Sequence, residues 1–279
     1  MAACFPKKVN AEEGSGYLFG SYVRPWHQWD YKTALDGVVE AGFRYVGLMR
    51  TKEGLIVHTN ASQKKVREVA NAVKERDLKM ISLYGGQFGA DHSLEEGISG
   101  LKRLIDYCEL LDCPNLLLGG TSKQDVSNDY YQAVQENCSY AAEKGVVITI
   151  KPHGGLNATG EQLKRIVKRV NHEHFRVTYD PGNILHYSKG AADPVGETRP
   201  LAGLVHSMCV KDYEPDKSVN VTPGNGLVDF KKVLASLRKG GFTQGPLILE
   251  TVAPAKTPTQ ATAEAKKALA FMKEFVRAI

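Results

Sequence analysis

Long apolar runs are missing from this sequence. Nowhere do about 18 consecutive apolar residues occur, so no membrane-spanning helix and no membrane partner are expected. Lys7 and Lys8 near the N-terminus are not followed by an apolar run of signal-peptide length, so export by that route is not expected either. We therefore expect a cytoplasmic protein.

Paired cysteine motifs are also absent. The sequence has 5 cysteines and no Cys-x-x-Cys spacing. They are Cys4, Cys108, Cys113, Cys138 and Cys209. An odd number without such spacing favours reduced thiols in a cytosol over a disulfide framework.

A basic stripe with interleaved aromatic residues is lacking as well, although the formal net charge is +5. The basic residues are spread over predicted helix faces, for example at Lys64, Lys65 and Arg67. Such spacing is typical of solvated surface helices, so nucleic acid is not expected as a partner.

What the sequence does contain is a regular alternation of short apolar runs and amphipathic helical stretches. No linker or shift of composition interrupts it, so residues 1–279 are expected to form one domain. The eight predicted strands are Tyr17–Val23, Phe43–Met49, Leu78–Gly85, Asn115–Gly120, Val146–His153, Phe175–Asp180, Leu204–Asp212 and Pro246–Thr251. Eight βα units predict a single (β/α)8 TIM barrel.

The predicted helices each have one apolar face. Leu163, Ile166, Val167 and Val170 follow the spacing of a helix with one buried side, and a second such set begins at Phe230. Glycines at 145, 240 and 241 stand where helices must end and return to the next strand. The longest irregular segment, Ser188–Pro200, predicts a short helix with a lid or interface loop.

Ionisable residues collect where four consecutive strands end. Lys151 and His153 end the fifth strand, Asp180 the sixth, Lys211 the seventh and Glu250 the eighth. Any one of these residues, considered alone, could have a purely structural role as a turn residue, a helix cap or a polar loop residue. Their coincidence at one rim favours an active site, and two acids with a lysine can transfer a proton next to a carbonyl.

Two further residues are candidates for substrate binding. Trp26 and His27 follow the first strand at the same rim, where an indole can stack on a sugar and an imidazole can bind a hydroxyl. A structural role is an equal alternative for both. A substrate phosphate is left open, with Lys123, Lys211 and the glycine-containing segment Pro223–Gly226 as its candidate ligands.

The chain resembles the xylose isomerase-like barrel superfamily of sugar isomerases and epimerases, which also includes endonuclease IV-like enzymes. The resemblance runs over nearly the whole chain and is carried by four segments. They are Tyr179–Asn183, Cys209–Asp212, Pro223–Phe230 and Leu247–Glu250. The resemblance implies a small carbohydrate substrate, and a homo-oligomer is compatible with it.

The resemblance further implies one divalent ion, held by carboxylates and a His or Gln at the ends of strands five to eight. Asp180 and Glu250 match that ligand set, but Lys151 stands in place of the strand-five Glu and Cys209 in place of the strand-seven ligand. Asn183 stands where many members have a second His. His206 is an alternative ligand only if a bulge reverses the strand's alternation.

Lys151 makes the metal doubtful, because an ammonium group repels a divalent ion and has no lone pair. It either replaces the ion as a stabiliser of an enolate-like oxygen, or acts as a neutral base or Schiff-base former. In the first reading Glu250 is the base, Lys151 is the electrophile or partner acid, and Asp180 is the second carboxylate beside Lys151. His27, His153, Asn183, Cys209 and Lys211 are then expected to bind substrate.

The sequence thus predicts a sugar isomerase or epimerase that transfers a proton next to a carbonyl. A keto-sugar lyase or dehydratase is a close alternative, because it passes through the same enolate. The substitutions at Lys151 and Cys209 also allow an inactive sugar-binding barrel. DNA repair chemistry is not expected, because it needs several zinc ions and the rim lacks their ligands.

Overall fold

The computed structural model describes residues 16–279, so Cys4, Lys7 and Lys8 lie outside the described residues. Eight strands pair in parallel and close into a barrel, with β1 bonded to β2 and to β8. Their bounds are β1 Tyr17–Tyr22, β2 Tyr45–Leu48, β3 Lys79–Tyr84, β4 Asn115–Leu118, β5 Val147–Ile150, β6 Phe175–Tyr179, β7 Val205–Val210 and β8 Gly245–Leu249. The predicted (β/α)8 barrel and its eight strands are confirmed.

Eight α-helices alternate with these strands. They are α1 Tyr31–Glu40, α2 Gln63–Lys74, α3 Leu94–Leu110, α4 Ser127–Glu143, α5 Gly160–Val170, α6 Pro181–Tyr187, α7 Phe230–Lys239 and α8 Pro258–Arg277. The apolar faces predicted for α5 and α7 are buried. None of the helices in the described part of the chain is long and apolar enough to cross a membrane.

One element was not expected, and the structure of the irregular segment favours one of its two expected roles. A short antiparallel hairpin, Arg50–Thr51 with Gly54–Leu55, follows β2 at the mouth of the barrel. The irregular segment 188–200 leads into a 3-10 helix, Gly196–Leu201, and the Gly160 amide at the start of α5 donates to Glu197 Oε2 at 2.5 Å. This docking on α5 favours an interface role for the segment over a lid.

Polar side chains cross the interior of the barrel below its mouth. The Tyr22 hydroxyl donates to Ser82 Oγ at 3.0 Å, and Ser82 donates to Asn115 Oδ1 at 2.8 Å. Thr149, Thr178 and Ser207 continue this series of hydrogen bonds across β5, β6 and β7. We call these six residues the hydroxyl layer. All six are buried.

The hydroxyl layer fixes the direction of the residues above it. Side chains two residues apart on a strand point to the same side. Lys151 follows Thr149 by two residues and Asp180 follows Thr178 by two. Both ionisable side chains therefore enter the barrel from the end of the strand that carries them.

Candidate active site

Four charged side chains meet at the carboxyl end of the barrel. Lys151 follows β5 directly, Asp180 follows β6, Lys211 follows β7 and Glu250 follows β8. No more than 2% of any of the four residues is exposed. The four predicted strand ends therefore converge, as the sequence indicates, and the point where they meet is almost fully buried.

The four groups form a closed cycle of alternating charge, which we call the charge ring. Lys151 Nζ lies 2.7 Å from Glu250 Oε2, and Lys211 Nζ lies 2.6 Å from Glu250 Oε1. Asp180 Oδ2 closes the cycle, at 3.1 Å from Lys211 Nζ and 3.4 Å from Lys151 Nζ. Each ammonium contacts both carboxylates, so the formal charges of the ring cancel.

The ring keeps Lys151 and Glu250 ionised. Burial alone acts to lower the pKa of Lys151, but the Glu250 and Asp180 carboxylates outweigh it and place that pKa well above its ordinary value. Burial acts to raise the pKa of Glu250, but Lys151, Lys211 and Arg24 hold it well below its usual range. The ion pairs with Glu250 and Asp180 therefore favour a charged Lys151 over the alternative of a neutral lysine that acts as a base or forms a Schiff base.

Amide side chains hold the ring in place. Asn183 Nδ2 donates to the Pro152 carbonyl at 2.7 Å, while its Oδ1 accepts from Lys211 Nζ at 3.1 Å. Asp180 caps α6, and its Oδ1 accepts the Asn183 backbone N–H at 2.9 Å. Asn157 Nδ2 donates to the Lys151 carbonyl at 2.8 Å. Asn183, predicted to bind substrate, is thus engaged in supporting Lys211.

The residues present do not fit the divalent ion that the resemblance implies. Asp180, Cys209 and Glu250 do bring ligand atoms within 4.8 Å of one another. However, three of the four carboxylate oxygens accept from ammonium groups and the fourth, Asp180 Oδ1, accepts a backbone N–H. Burial, together with the Glu250 and Asp180 charges, raises the pKa of the Cys209 thiol well above its ordinary value, so the thiolate that a metal needs is disfavoured.

His206 does not complete a metal site. The pairing of β6 and β7 is irregular beside it, because Val177 pairs with Val205 while Thr178 pairs with Ser207. Even so, the charged groups that act on His206 are Arg176 and His174, at the amino end of the barrel. The alternative in which a bulge turns His206 toward Asp180 and Glu250 is not supported.

A cavity of about 560 Å³ opens above the charge ring, within the usual size of a small-molecule site. Lys151 forms part of its wall, together with Arg24, His27, Tyr84 and His153. A second compartment of about 260 Å³ shares Tyr84 and His153 with the first. His27 and His153 therefore lie where the sequence predicts, at the mouth and open to a ligand.

His153 is neutral over the physiological range. Its pKa is lowered to about 4, because neighbouring groups shield the imidazole from water and because Lys151 and Lys211 repel its charged form. Solvent nevertheless reaches the residue. The ring of Tyr187 lies 5.5 Å from it and is 40% exposed. The two side chains give the mouth an aromatic edge.

The prediction that Trp26 stacks on a substrate is wrong. Trp26 is fully buried, and its indole Nε1 donates to Thr262 Oγ1 of α8 at 3.1 Å. The ring lies so close to Gly37 that a Cβ there would meet it at 2.2 Å. The short 3-10 helix Arg24–Trp26, with Pro25 in its first turn, directs the indole between α1 and α8.

The proposed phosphate ligands are mostly occupied. The backbone N–H groups of Gly224 and Gly226 both donate to Asp212 Oδ2 at 2.9 Å, so the glycine-containing segment is not an empty anion cradle. The ammonium of Lys211 belongs to the charge ring. Lys123 lines the second compartment. The glycine-containing segment and Lys211 therefore have structural roles, and they are not phosphate ligands as predicted.

Three residues of the site were not identified from sequence in these roles. Lys211 was considered only as a substrate ligand, whereas it is the second cation of the charge ring. Arg24 Nη1 lies 3.5 Å from Glu250 Oε1, a contact that the strand pattern does not predict. Tyr84, at the end of β3, lines both compartments. Its position at the end of a strand is the feature of the sequence that could have identified it as a residue of the site.

Comparison with known families agrees with this architecture. Residues 35–275 match the family described as xylose isomerase-like TIM barrel. The chain belongs to this family. None of the curated proteins matches the sequence.

Solved structures share the family's fold with the chain. They include D-allulose 3-epimerase from Methylomonas sp. in complex with D-allulose (17% identity, TM-score 0.71, 93% of this chain and 97% of that one covered). A D-psicose 3-epimerase structure has 13% identity and a TM-score of 0.74, with coverages of 93% and 99%. The 3-keto-D-glucoside 4-epimerase of E. coli has 16% identity and a TM-score of 0.70, with coverages of 92% and 99%. At these identities the likeness establishes the fold alone.

Proposed function

We propose that this protein is a sugar epimerase or isomerase that transfers a proton next to a carbonyl without a divalent metal. The charge ring at the floor of a sugar-sized cavity is the observation that carries the proposal. The names of similar folds, epimerases of allulose, psicose and a keto-glucoside, are consistent with it.

In this proposal Lys151 stabilises the enolate oxygen. Removal of a proton beside a carbonyl moves negative charge onto the carbonyl oxygen, and a fixed, desolvated cation lowers the energy of that state. Lys151 lines the cavity and stays protonated through Glu250 and Asp180. The two carboxylates therefore act by holding the ammonium charged and in position.

His153 can reach a bound substrate and Glu250 cannot, so His153 is the proton acceptor in this proposal. Glu250 was predicted to be the base, but it is fully buried, and the lysines hold its pKa well below its usual range. His153 lines the cavity, is exposed to solvent, and has a neutral imidazole with a nitrogen free to accept a proton. A base must reach the proton that it removes, so we assign this step to His153.

Hydrogen–deuterium exchange tests the proposal directly. D-Fructose, D-allulose and a 3-keto-glucoside are incubated with the protein in D2O with and without EDTA, and exchange next to the carbonyl is followed by NMR. We expect exchange that EDTA leaves unchanged. Lys151→Met should lower the rate at least a hundredfold, the order found when one stabilising donor is lost, and Lys164→Met on the surface of α5 should not.

The other outcomes separate the alternatives. Exchange that stops with EDTA and returns with Mn²⁺ overturns the metal-free mechanism. Exchange that is followed by loss of water or of a leaving group identifies a lyase. Binding of these sugars with no exchange at all identifies a sugar-binding barrel and overturns the proposal.

A further inference from the structure

We infer that the substrate carries an oxyanion, a carboxylate or a phosphate, which Arg24 and Arg50 bind at the wall of the main cavity. The inference rests on the proposed function, since it names the class of carbohydrate that the same site accepts. It begins with the charges around the cavity. Arg24, Arg50 and Lys151 line it, whereas no aspartate or glutamate belongs to that lining among the described residues.

The three cations are not equally available to a ligand. Lys151 is balanced within the charge ring by Glu250 and Asp180. Arg24 makes one long contact with that ring, 3.5 Å from Nη1 to Glu250 Oε1, and its side chain is 43% exposed. Because the ring itself is neutral, the charge of Arg24 remains in excess. Arg24 is thus the inner of two available cations.

Arg50 is the outer available cation. It is exposed, and within residues 16–279 no carboxylate pairs with it. It lies on the hairpin that follows β2, while Arg24 lies on the 3-10 helix that follows β1. The two strands are hydrogen-bonded neighbours, and the Lys52 amide of the hairpin donates to the Trp29 carbonyl beyond that helix at 3.4 Å. Both guanidinium groups therefore serve the same side of the cavity.

The chemistry of guanidinium groups selects the ligand. A guanidinium presents a planar fork of N–H donors that matches the oxygens of a carboxylate or phosphate. A neutral sugar offers hydroxyl groups, which need no net positive charge in the wall. With Lys151 at the floor and Arg50 at the rim, the substrate lies with its carbonyl inward and its anionic group outward.

Arg50→Gln tests this assignment, with Arg67→Gln as the matched control, an exposed arginine on α2 outside the cavity. Exchange in D2O is measured with D-fructose, D-fructose 6-phosphate and 5-keto-D-gluconate. We expect the wild type to favour one or both anionic sugars, and Arg50→Gln to raise their KM roughly tenfold to a hundredfold with little effect on D-fructose, the range expected for a charged hydrogen-bonded pair. Added salt should raise the same KM values by screening the pair.

Binding provides a readout that does not depend on turnover. Calorimetry with D-glucuronate and with inorganic phosphate should show binding that weakens in Arg50→Gln and persists in Arg67→Gln. The preferred probe identifies the oxyanion as carboxylate or phosphate. Equal use of neutral and anionic sugars, unaffected by Arg50→Gln, overturns the anionic substrate while leaving the proposed function intact. Absence of exchange with every sugar overturns the proposed function. The calorimetry then tests independently whether Arg50 binds an oxyanion.

Discussion

At the scale of single residues, Lys211 shows how the charge ring depends on each of its members. Both ammonium groups and both carboxylates are buried, so each charge is compensated mainly by its neighbours in the ring. Replacing a whole buried ion pair by apolar groups is often neutral, whereas removing one partner leaves a buried charge without compensation. The ring is therefore sensitive to any single substitution.

Lys211→Met is expected to lower the free energy of unfolding by about 3–5 kcal/mol, because Asp180 and Glu250 would share one buried cation. Urea unfolding monitored by circular dichroism measures the change. Lys164→Met is the control, since Lys164 pairs with Glu161 on the surface at 3.5 Å and such pairs contribute about 0–1 kcal/mol. A loss below about 1 kcal/mol for Lys211→Met would show that the ring is not closed as described.

The sequence predicts which residues lie in the site better than it predicts which side chains contact one another. Lys151, Asp180 and Glu250 were found because the ends of parallel strands share one rim, a rule that needs no side-chain detail. The contacts of Lys211 with both carboxylates depend on side-chain conformation, which strand spacing does not specify. Trp26 was misplaced for the same reason, since a 3-10 turn decides which way its indole points.

At the scale of elements, one buried carboxylate organises the loop that follows β7. Asp212 Oδ1 accepts the N–H groups of Tyr213 and Val228, at 2.8 and 3.0 Å. Its Oδ2 accepts those of Gly224 and Gly226. Glycine is required at 226, because a Cβ there would meet Asp212 Oδ1 at 2.4 Å. The sequence predicted a glycine-containing segment but not that Asp212 would occupy its donors.

Asp212→Asn should loosen this loop, because an amide NH2 would face backbone N–H donors in place of one oxygen. We expect hydrogen exchange at the Gly224 and Gly226 amides to quicken at least tenfold, and stability to fall by about 1–3 kcal/mol. Mass spectrometry of exchanged peptides measures the first change and urea unfolding the second. Asp216→Asn, an exposed position in the same loop, provides the control. Unchanged amide protection would contradict the role given to Asp212.

At the scale of the whole molecule, the closed barrel was predictable because its strands recur at regular intervals with apolar interiors. The hairpin after β2 and helix α6 were missed because each is short and lacks a periodic pattern of its own. That residues 1–279 form one domain stays a prediction, since residues 1–15 lie outside the described part.

Stability should fall as the solution becomes acidic. Burial, with Arg176 and His174, lowers the pKa of His206 from 6.5 to about 4, so the unfolded chain binds a proton between these pH values and the folded chain does not. The contribution is fully present above about pH 6.5 and is lost as pH falls toward 4. For His206 alone the loss by pH 5 is about 2 kcal/mol.

Urea unfolding at pH 7.5 and pH 5 measures this dependence, and the difference between the two pH values is the informative quantity. His206→Gln should reduce that difference, whatever its effect at pH 7.5. His92→Gln, at an exposed position after β3, should leave the difference unchanged. The same pH dependence in His206→Gln and the wild type would assign it to other groups.

The alternation of sign around the charge ring also determines how far its influence extends. Two positive and two negative charges in a closed cycle have no net charge, and their dipoles oppose one another, so the arrangement is close to a quadrupole. The potential of a quadrupole decays much faster with distance than that of a single ion. An approaching molecule is therefore steered by the arginines at the rim, and it experiences the field of Lys151 only once it has reached the floor of the cavity.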